Sequence, residues 1–205
     1  MAPLAWPSVL KASAEAWNFN AGASRAGPPS LTNVEQAITA PTGRVRASLT
    51  VPCNTPARVL AMRALLAGLD GRAGTVLVGP CEAGRRPSGP RSFRLAAAAA
   101  LNATTLSIRR TSGGLLQAGQ VVGIGGNRLH LITRLNGTDD GGVGPVSVTV
   151  RPWLRAAYAA NTVLQMGAPL CEMQLATDDV PALELSLSRR GVVTLDLVEA
   201  PPEAA

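Results

Sequence analysis

Histidine is the first residue type to examine for chemistry. His130 is the only histidine among the 205 residues, so the sequence excludes a metal site built from several histidines. In a strand its side chain would point opposite to Leu129 and Leu131, toward either a wet face or a hydrogen-bonded barrel interior. General acid–base catalysis needs a positioned partner group. A lone histidine therefore predicts a structural role.

The cysteines are Cys53, Cys81 and Cys171. An odd number at wide spacing indicates buried thiols in a reducing compartment rather than a disulfide framework. A nucleophilic thiolate needs a positive, partly exposed environment. Cys81, in an arginine-rich loop, is the least unsuitable candidate for that role.

Two aspartate pairs are the candidates for cation binding. Asp139 and Asp140 lie in a glycine-rich turn, but no further carboxylates follow at the spacing that a calcium site requires. We interpret this pair as a solvated loop tip. Asp178 and Asp179, which precede Pro181, are interpreted as turn residues.

The glycines between Gly123 and Arg128 resemble a dinucleotide-binding loop only in part. Arg128 stands where the third glycine should be, and a strand follows where a helix should begin. A hairpin turn explains these glycines. The chain also has no Gly-x-Ser-x-Gly elbow. The sequence thus predicts no catalytic residue, no cofactor-binding residue and no metal ligand, and so a protein that is not an enzyme.

Length and composition predict one or two domains with a real core, since 46% of the residues are hydrophobic. No apolar run reaches the roughly 20 residues that span a bilayer, and the N-terminus lacks a signal-peptide pattern. We therefore expect synthesis in the cytoplasm and no membrane insertion. For the same reason, Asn102 and Asn136 are discounted as glycosylation sites although each begins an Asn-x-Thr pattern.

The net charge of +6 is spread unevenly along the chain. Residues 1–169 hold 17 basic and 6 acidic residues, whereas residues 170–205 hold 2 and 7. Opposite charges of this kind could meet inside one subunit or across a contact between subunits. A nucleic-acid surface is the rival interpretation. The arginines are scattered, however, and aromatic residues are not interleaved with them as base stacking would require.

The N-terminal part shows strand and helix patterns in turn. Residues 1–14 predict a weakly ordered arm or an edge strand, 17–20 an aromatic strand and 21–33 a loop. Alternation over 45–51 predicts a half-buried strand. Thr55 as a cap and Pro56 at the first helical position predict a helix that ends near Leu69. A strand over 75–78 and a proline-rich excursion over 79–91 follow.

The central part predicts a small barrel. Five runs at 105–109, 120–124, 128–135, 146–151 and 162–166 have strand character and are mostly separated by glycine-rich turns. The five alanines at 96–100 lack a cap and an apolar stripe, so we expect no helix there. One helical turn is expected over 153–159.

Near the C-terminus, alternating leucines predict a hairpin whose two strands meet at a tight turn of Arg189, Arg190 and Gly191. The strands carry Leu183, Leu185 and Leu187, and then Val193, Leu195 and Leu197.

The expected fold class is mainly β: a β-sandwich ring domain with one packed α-helix, plus an inserted small β-barrel domain. Residues 1–94 and 169–200 would form the discontinuous sandwich domain. Residues 95–168 would form the inserted barrel, and 201–205 a flexible tail.

The central part also resembles an inserted β-domain that recurs in minor tail proteins of long-tailed bacteriophages. The matching residues are Gly119, Gln120, Val122, Ile124, Gly125, Leu129, His130, Ile132, the turn 136–144, Pro152, Leu154 and Arg155. The strand over 42–51 and the helix after it fit the same family. The family's usual aromatic residues beside the helix and after the following strand are missing here.

This resemblance implies a distal-tail or baseplate ring protein at the tail tip of a virion. It implies self-association into a ring, a hexamer in the family, between the tail tube protein and the hub and other tip proteins. The tape measure protein is a further possible partner. DNA would pass through the lumen without sequence-specific binding. The alternatives are a nucleic-acid-binding β-barrel module and a neck or capsid decoration protein.

Overall fold

The computed structural model describes residues 2–19, 23–26, 36–39, 43–80, 92–125, 127–139, 141, 144–186 and 190–201. Within these ranges the chain is mainly β, as expected, with a closed six-stranded barrel, a separate six-stranded sheet and one helix. In chain order the elements are β1 (Leu4–Ala5), β2 (Ala14–Asn18), β3 (Ala23–Ala26), β4 (Gln36–Thr39), β5 (Arg46–Cys53), α1 (Pro56–Leu69), β6 (Val76–Val78), β7 (Ser92–Leu95), β8 (Thr105–Ser112), β9 (Val121–Ile124), β10 (Arg128–Leu135), β11 (Pro145–Arg151), β12 (Val163–Gln165), β13 (Cys171–Leu175) and β14 (Gly191–Glu199).

The six-stranded sheet has the order β1-β6-β13-β14-β5-β2. Its longest pairing joins β14 to β5, from Gly191 opposite Cys53 to Val198 opposite Arg46. Period-two alternation gives these strands one buried and one outer row of side chains. The buried row contains Ala47, Leu49, Val51, Val193, Leu195 and Leu197. The strand expected over 45–51 therefore has the expected apolar face.

The helix α1 covers that apolar face. The Thr55 hydroxyl accepts a hydrogen bond from the backbone N–H of Arg58, Pro56 begins the helix, and Asp70 ends it with a left-handed φ of 43°. Such a start is what Thr55 and Pro56 predict, and the helix ends at Leu69 as expected, so the expected helix is confirmed. Its buried residues are Val59, Met62, Leu65, Leu66 and Leu69.

The barrel closes in the order β10-β11-β8-β7-β12-β9. A separate core fills it, built largely from alternate residues of its strands. Phe93 and Leu95 of β7 are fully buried there, so the barrel already includes Ser92–Leu95. The boundary expected at residue 95 is therefore a few residues late, because strand β7 was not recognised beside the proline-rich excursion.

Three local expectations are wrong. Residues 153–159 form no helical turn, because Tyr158 makes a β-bridge with Ala99 instead. The loop expected over 21–33 contains β3, which pairs with β4 in a two-stranded sheet. No strand forms over 180–186, so the expected C-terminal hairpin is absent from the described residues. β14 pairs with β5 from Gly191 to Val198, but with β13 only from Leu197 to Glu199. Across the expected turn, the Ser186 N–H donates to the Arg190 carbonyl at 2.9 Å.

Other details follow expectation. The alanines at 96–100 are not helical, and β1 is an edge strand, paired in parallel with β6. Leu183 and Leu185 still pack on the sheet core. Residues 187–189 and most of the excursion over 79–91 lie outside the described ranges.

The barrel strands lie in sequence between two neighbouring strands of the sheet. Val78 at the end of β6 pairs with Cys171 at the start of β13, and all six barrel strands fall between these residues. In the described ranges the strands form the barrel, the six-stranded sheet and a two-stranded sheet, and the sandwich stays a prediction. No helix in the described part of the chain has the length and apolar character needed to cross a bilayer.

Candidate functional site

A buried charged cluster, which we call the junction, joins the barrel to the sheet. It consists of Glu199 from β14, Arg128 from β10, and Arg155, which follows β11. Glu199 continues the inward row of Leu195 and Leu197, so strand alternation turns its side chain inward, where it is 1% exposed. A buried charge needs partners, and both arginines supply them.

The Glu199 carboxylate is bound on both oxygens. Arg155 Nη2 lies 2.7 Å from Oε2, and Arg128 Nη1 lies 3.4 Å from Oε1. The backbone N–H of Val45 also donates to Oε2 at 3.1 Å, while the N–H of Glu199 donates to the Val45 carbonyl at 2.8 Å. These contacts fix the carboxylate between the sheet and the barrel.

The two guanidinium groups also bind backbone carbonyls of the sheet unit. Arg128 donates to the carbonyls of Ala200 and Pro201, and Arg155 donates to that of Gly43. Burial lowers the pKa of the Arg155 guanidinium, and the Glu199 carboxylate acts in the opposite direction. The junction thus orients the barrel on the sheet through hydrogen bonds to charged groups, which are the stronger kind.

His130 lies in the barrel interior and is fully buried. Its Nδ1 is 2.9 Å from the Pro152 carbonyl oxygen, and a donated N–H bond there leaves Nε2 unprotonated. Loss of solvation lowers the pKa of His130 to about 4. The Pro152 carbonyl opposes that shift, and the charges of Arg155 and Arg128 add to it. Nε2 has no hydrogen-bond partner within the described residues. The imidazole is therefore neutral near pH 7, and its one ordered bond is structural.

The thiols are equally unsuited to chemistry where the structure describes them. Cys53 and Cys171 are free and buried, as expected. Burial, and after it the nearby Glu199 carboxylate, raise the pKa of Cys171 to about 12. Burial also raises the pKa of Cys53. Thiols in this state are not nucleophiles. Cys81 lies outside the described residues.

Asp139 corrects one expectation. Its side chain is 4% exposed and lies 3.4 Å from Arg110 Nη2. Its carboxylate also accepts N–H bonds from Leu116 at 2.7 Å and Gly141 at 3.2 Å. Asp139 is therefore a buried loop anchor, not a solvated tip, because it ties the β10–β11 loop to the β8–β9 loop. Asp140 lies outside the described residues.

The remaining candidates occupy turns. Asp178 and Asp179 are exposed in bends, as expected. The dinucleotide-like glycines form the β9–β10 hairpin, in which Arg128 pairs with Ile124. Asn127 in this turn has a left-handed φ of 56°. No group of three or more His, Cys, Asp or Glu side chains in the described ranges could hold a metal ion.

The residues that carry the family resemblance have architectural positions. Gly119 has a φ of 89°, and its N–H donates to the Ile132 carbonyl at 2.7 Å. Gly125 packs against Tyr158 so closely that a Cβ would lie 2.8 Å from the ring. Together with the His130–Pro152 bond and the Arg155 contacts, these residues close the barrel and attach it to the sheet.

An open cleft of about 910 Å³ lies beside the junction. Both parts of the chain line it, with Tyr158 from the barrel unit and Gln174 from the sheet among the lining residues. Glu172 in its wall accepts a hydrogen bond from Thr75 Oγ1 at 2.8 Å. The described lining contains no nucleophile held by a base. The cleft is a surface feature of the joint between the barrel and the sheet.

Sequence reasoning missed the junction. The signal that could have found it is the two-residue alternation along β14, which places Glu199 in the row of inward-facing leucines. An inward carboxylate in such a strand predicts a buried cationic partner. Which arginines supply it depends on how the barrel is attached, and no local pattern gives that information. Comparison of the chain with models of protein families found no match, and comparison with curated proteins found none.

Proposed function

We propose that this chain is a structural protein of a bacteriophage tail, a distal-tail or baseplate ring protein without enzymatic activity. Copies of the chain would associate into a ring, a hexamer by resemblance to the family. The ring would join the tail tube protein to the hub and other tip proteins, with the tape measure protein as a further possible neighbour. DNA would pass through the lumen without sequence readout.

The observation that carries the proposal is where the resembling residues lie. Gly119, Gly125, His130, Pro152 and Arg155 close the barrel or fasten it to the sheet. Residues in these positions fit a protein whose role is to hold the barrel and the sheet in a fixed orientation. The resemblance to tail proteins then suggests the phage tail as the assembly in which the protein has this role.

The barrel and the six-stranded sheet differ in whether they have free edge strands, and this difference also supports assembly. Closure leaves the barrel without a free edge strand. The six-stranded sheet ends in β2 on one side and the two-residue β1 on the other. In this proposal the sheet is one layer of the ring domain's sandwich, and the barrel projects from it as a docking surface for tip proteins. Contacts that repeat by rotation would close the ring.

Two experiments test this function. Mass spectrometry of purified, DNase-treated virions should find the chain as a tail component, and its absence would sink the proposal. Light scattering and negative-stain images of the purified protein should show a ring with a central hole, alone or with tail-tip partners. A monomer under every condition would favour a binding module.

A nucleic-acid-binding barrel is the second candidate, favoured by exposed arginines on the barrel such as Arg94, Arg109 and Arg134. It requires binding to short DNA that weakens steeply as salt is added, because counterions are released on binding. Titration of labelled duplex and single-stranded DNA at several salt concentrations separates it from the tail proposal.

A further inference from the structure

Two arginines face each other directly on the outside of the barrel. Arg94 of β7 pairs in register with Arg109 of β8, and both are exposed while their neighbours Phe93 and Ile108 point into the barrel core. Like charges directly opposite each other on one face of a sheet are destabilising. The barrel thus carries a local cost at this pair.

No carboxylate within the described ranges pairs with either arginine. Arg94 Nη1 donates to the Asn161 carbonyl at 3.2 Å, which uses a hydrogen bond but leaves the charge unbalanced. Val163 lies next to Arg94 on the neighbouring strand and is 52% exposed. We call Arg94, Arg109 and Val163 the arginine patch. Positive charge beside an exposed apolar side chain is the composition of a contact surface.

A matching surface lies on the other unit of the same chain. Residues 176–186, which we call the acidic connection, form the first part of the link between β13 and β14 and contain Asp178, Asp179 and Glu184, whereas the two basic residues of that link, Arg189 and Arg190, follow after this segment. The Asp178 side chain is 87% exposed, and its one ion pair in the described residues, to Arg72, is long at 4.0 Å. Val180 follows the aspartates and is 43% exposed.

We propose that the arginine patch of one copy binds the acidic connection of a second copy. This inference rests on the proposed ring and names the contact that would hold it. Opposite charges and one exposed valine occur on each side, so the two surfaces complement each other in sign and in polarity. Since they lie at different positions on the chain, the contact can repeat head-to-tail from copy to copy, and such contacts build rings when the rotation closes.

The same patch is a poorer surface for nucleic acid. All aromatic side chains of the chain lie in the described residues, and none of them is exposed, so base stacking beside the arginines is not provided for. The two arginines form a short pair rather than a stripe along a groove. A protein partner of opposite charge fits these features better.

Charge reversal tests the contact. R94E/R109E and D178K/D179K should each weaken self-association of the full chain by roughly tenfold or more, as measured by light scattering and sedimentation, since attraction becomes repulsion. R134E and D196K, which reverse exposed charges elsewhere, are the matched controls and should leave association within about twofold. Thermal unfolding of each variant checks that it remains folded.

Mixing the two reversed variants gives the decisive measurement. Each variant keeps one native surface, so an alternating assembly satisfies every contact. We expect the mixture, and also the chain that carries all four substitutions, to recover association. A mixture that stays dissociated overturns the inference, as do controls that weaken association as much as the reversed variants.

Failure of this contact is distinguishable from failure of the proposed function. If the wild-type chain forms rings that R94E/R109E leaves intact, the contact is elsewhere and the ring proposal stands. If wild type is monomeric at every concentration, the inference is overturned, and detection of the chain in virions decides the function separately. Loss of DNA binding in R94E/R109E with association unchanged would assign the patch to nucleic acid and overturn the inference.

Discussion

Replacing Glu199 by glutamine should strongly destabilise the protein. The carboxylate is 1% exposed and lies between Arg128 and Arg155. Glutamine keeps the shape and can still accept the Val45 N–H bond, but it removes the only negative charge from the junction. The two buried guanidinium groups would then repel each other without compensation.

The magnitude follows from that geometry. Removing one partner of a buried ion pair costs about 3 to 5 kcal/mol, because the remaining charge is left buried and unpaired. The retained shape and hydrogen bonding of glutamine put the Glu199→Gln cost near the lower figure, about 3 kcal/mol. For a chain of this length about 1 kcal/mol lowers the midpoint by roughly 2–4 °C. The expected fall is therefore roughly 6–12 °C.

Urea unfolding followed by circular dichroism, with calorimetry, measures this loss. Asp196→Asn is the matched control, since Asp196 lies on the same strand with its side chain exposed on the outer face. Neutralising it should change stability by less than about 0.5 kcal/mol. Both variants lose one carboxylate from β14, so the difference between them isolates burial and pairing.

A double variant tests the cause. Adding Arg155→Met to Glu199→Gln removes one of the uncompensated charges and should recover part of the loss, with a coupling of roughly 1 kcal/mol or more. A cost of Glu199→Gln no larger than that of Asp196→Asn, or simple additivity of the two junction substitutions, would show that charge burial at the junction does not contribute as described.

Three further predictions concern the same part of the molecule. The folded pKa of His130 is about 4 against 6.5 for the free side chain, so the unfolded state takes up the proton first. The free energy of unfolding should therefore fall by about 3 kcal/mol as the pH is lowered from 6.5 to 4. In urea titrations at several pH values, His130→Gln should lose less stability with acid than wild type. Equal pH dependence of the two proteins would contradict this. Gly125→Ala should cost about 1–3 kcal/mol because its Cβ would lie 2.8 Å from the Tyr158 ring, whereas Gly137→Ala meets open space and should be neutral in the same melts. Cys171, with a pKa of about 12, should resist iodoacetamide until the chain unfolds, and rapid labelling of the native protein in mass spectra would disprove the burial.

Periodicity and end signals were sufficient for elements whose partners are close in sequence or whose two faces differ clearly. Thr55 and Pro56 fix the start of α1, and the alternation in β5 fixes its buried face. The barrel strands have the same short-range cues, with turns such as Ile124 to Arg128 between them. These signals are local, so a single sequence carries them.

Pairing between distant strands was not predictable in the same way. Alternating leucines at 183–187 favoured a hairpin with β14, but alternation gives the faces of a strand and not its neighbours. In the sheet, β14 pairs instead with β13 and β5. Asp139 shows the same limit for the site, because its burial depends on Arg110 and on a loop more than twenty residues away.

The pairing of Val78 with Cys171 has a consequence for how this chain could be altered. These two residues sit opposite each other on adjacent antiparallel strands, so the roughly 5 Å between them is short enough for a hairpin turn to bridge. Everything from residue 79 to 170 could be exchanged for such a turn, or for another module, without rethreading the sheet. The transplant would have to replace Glu199 with an apolar residue and to cover again the sheet surface on which Val121 and Leu129 now pack. Exchange of the barrel therefore leaves the strand order of the sheet unchanged, but it requires a compensating change in β14, because Glu199 of that strand pairs with two arginines of the barrel unit.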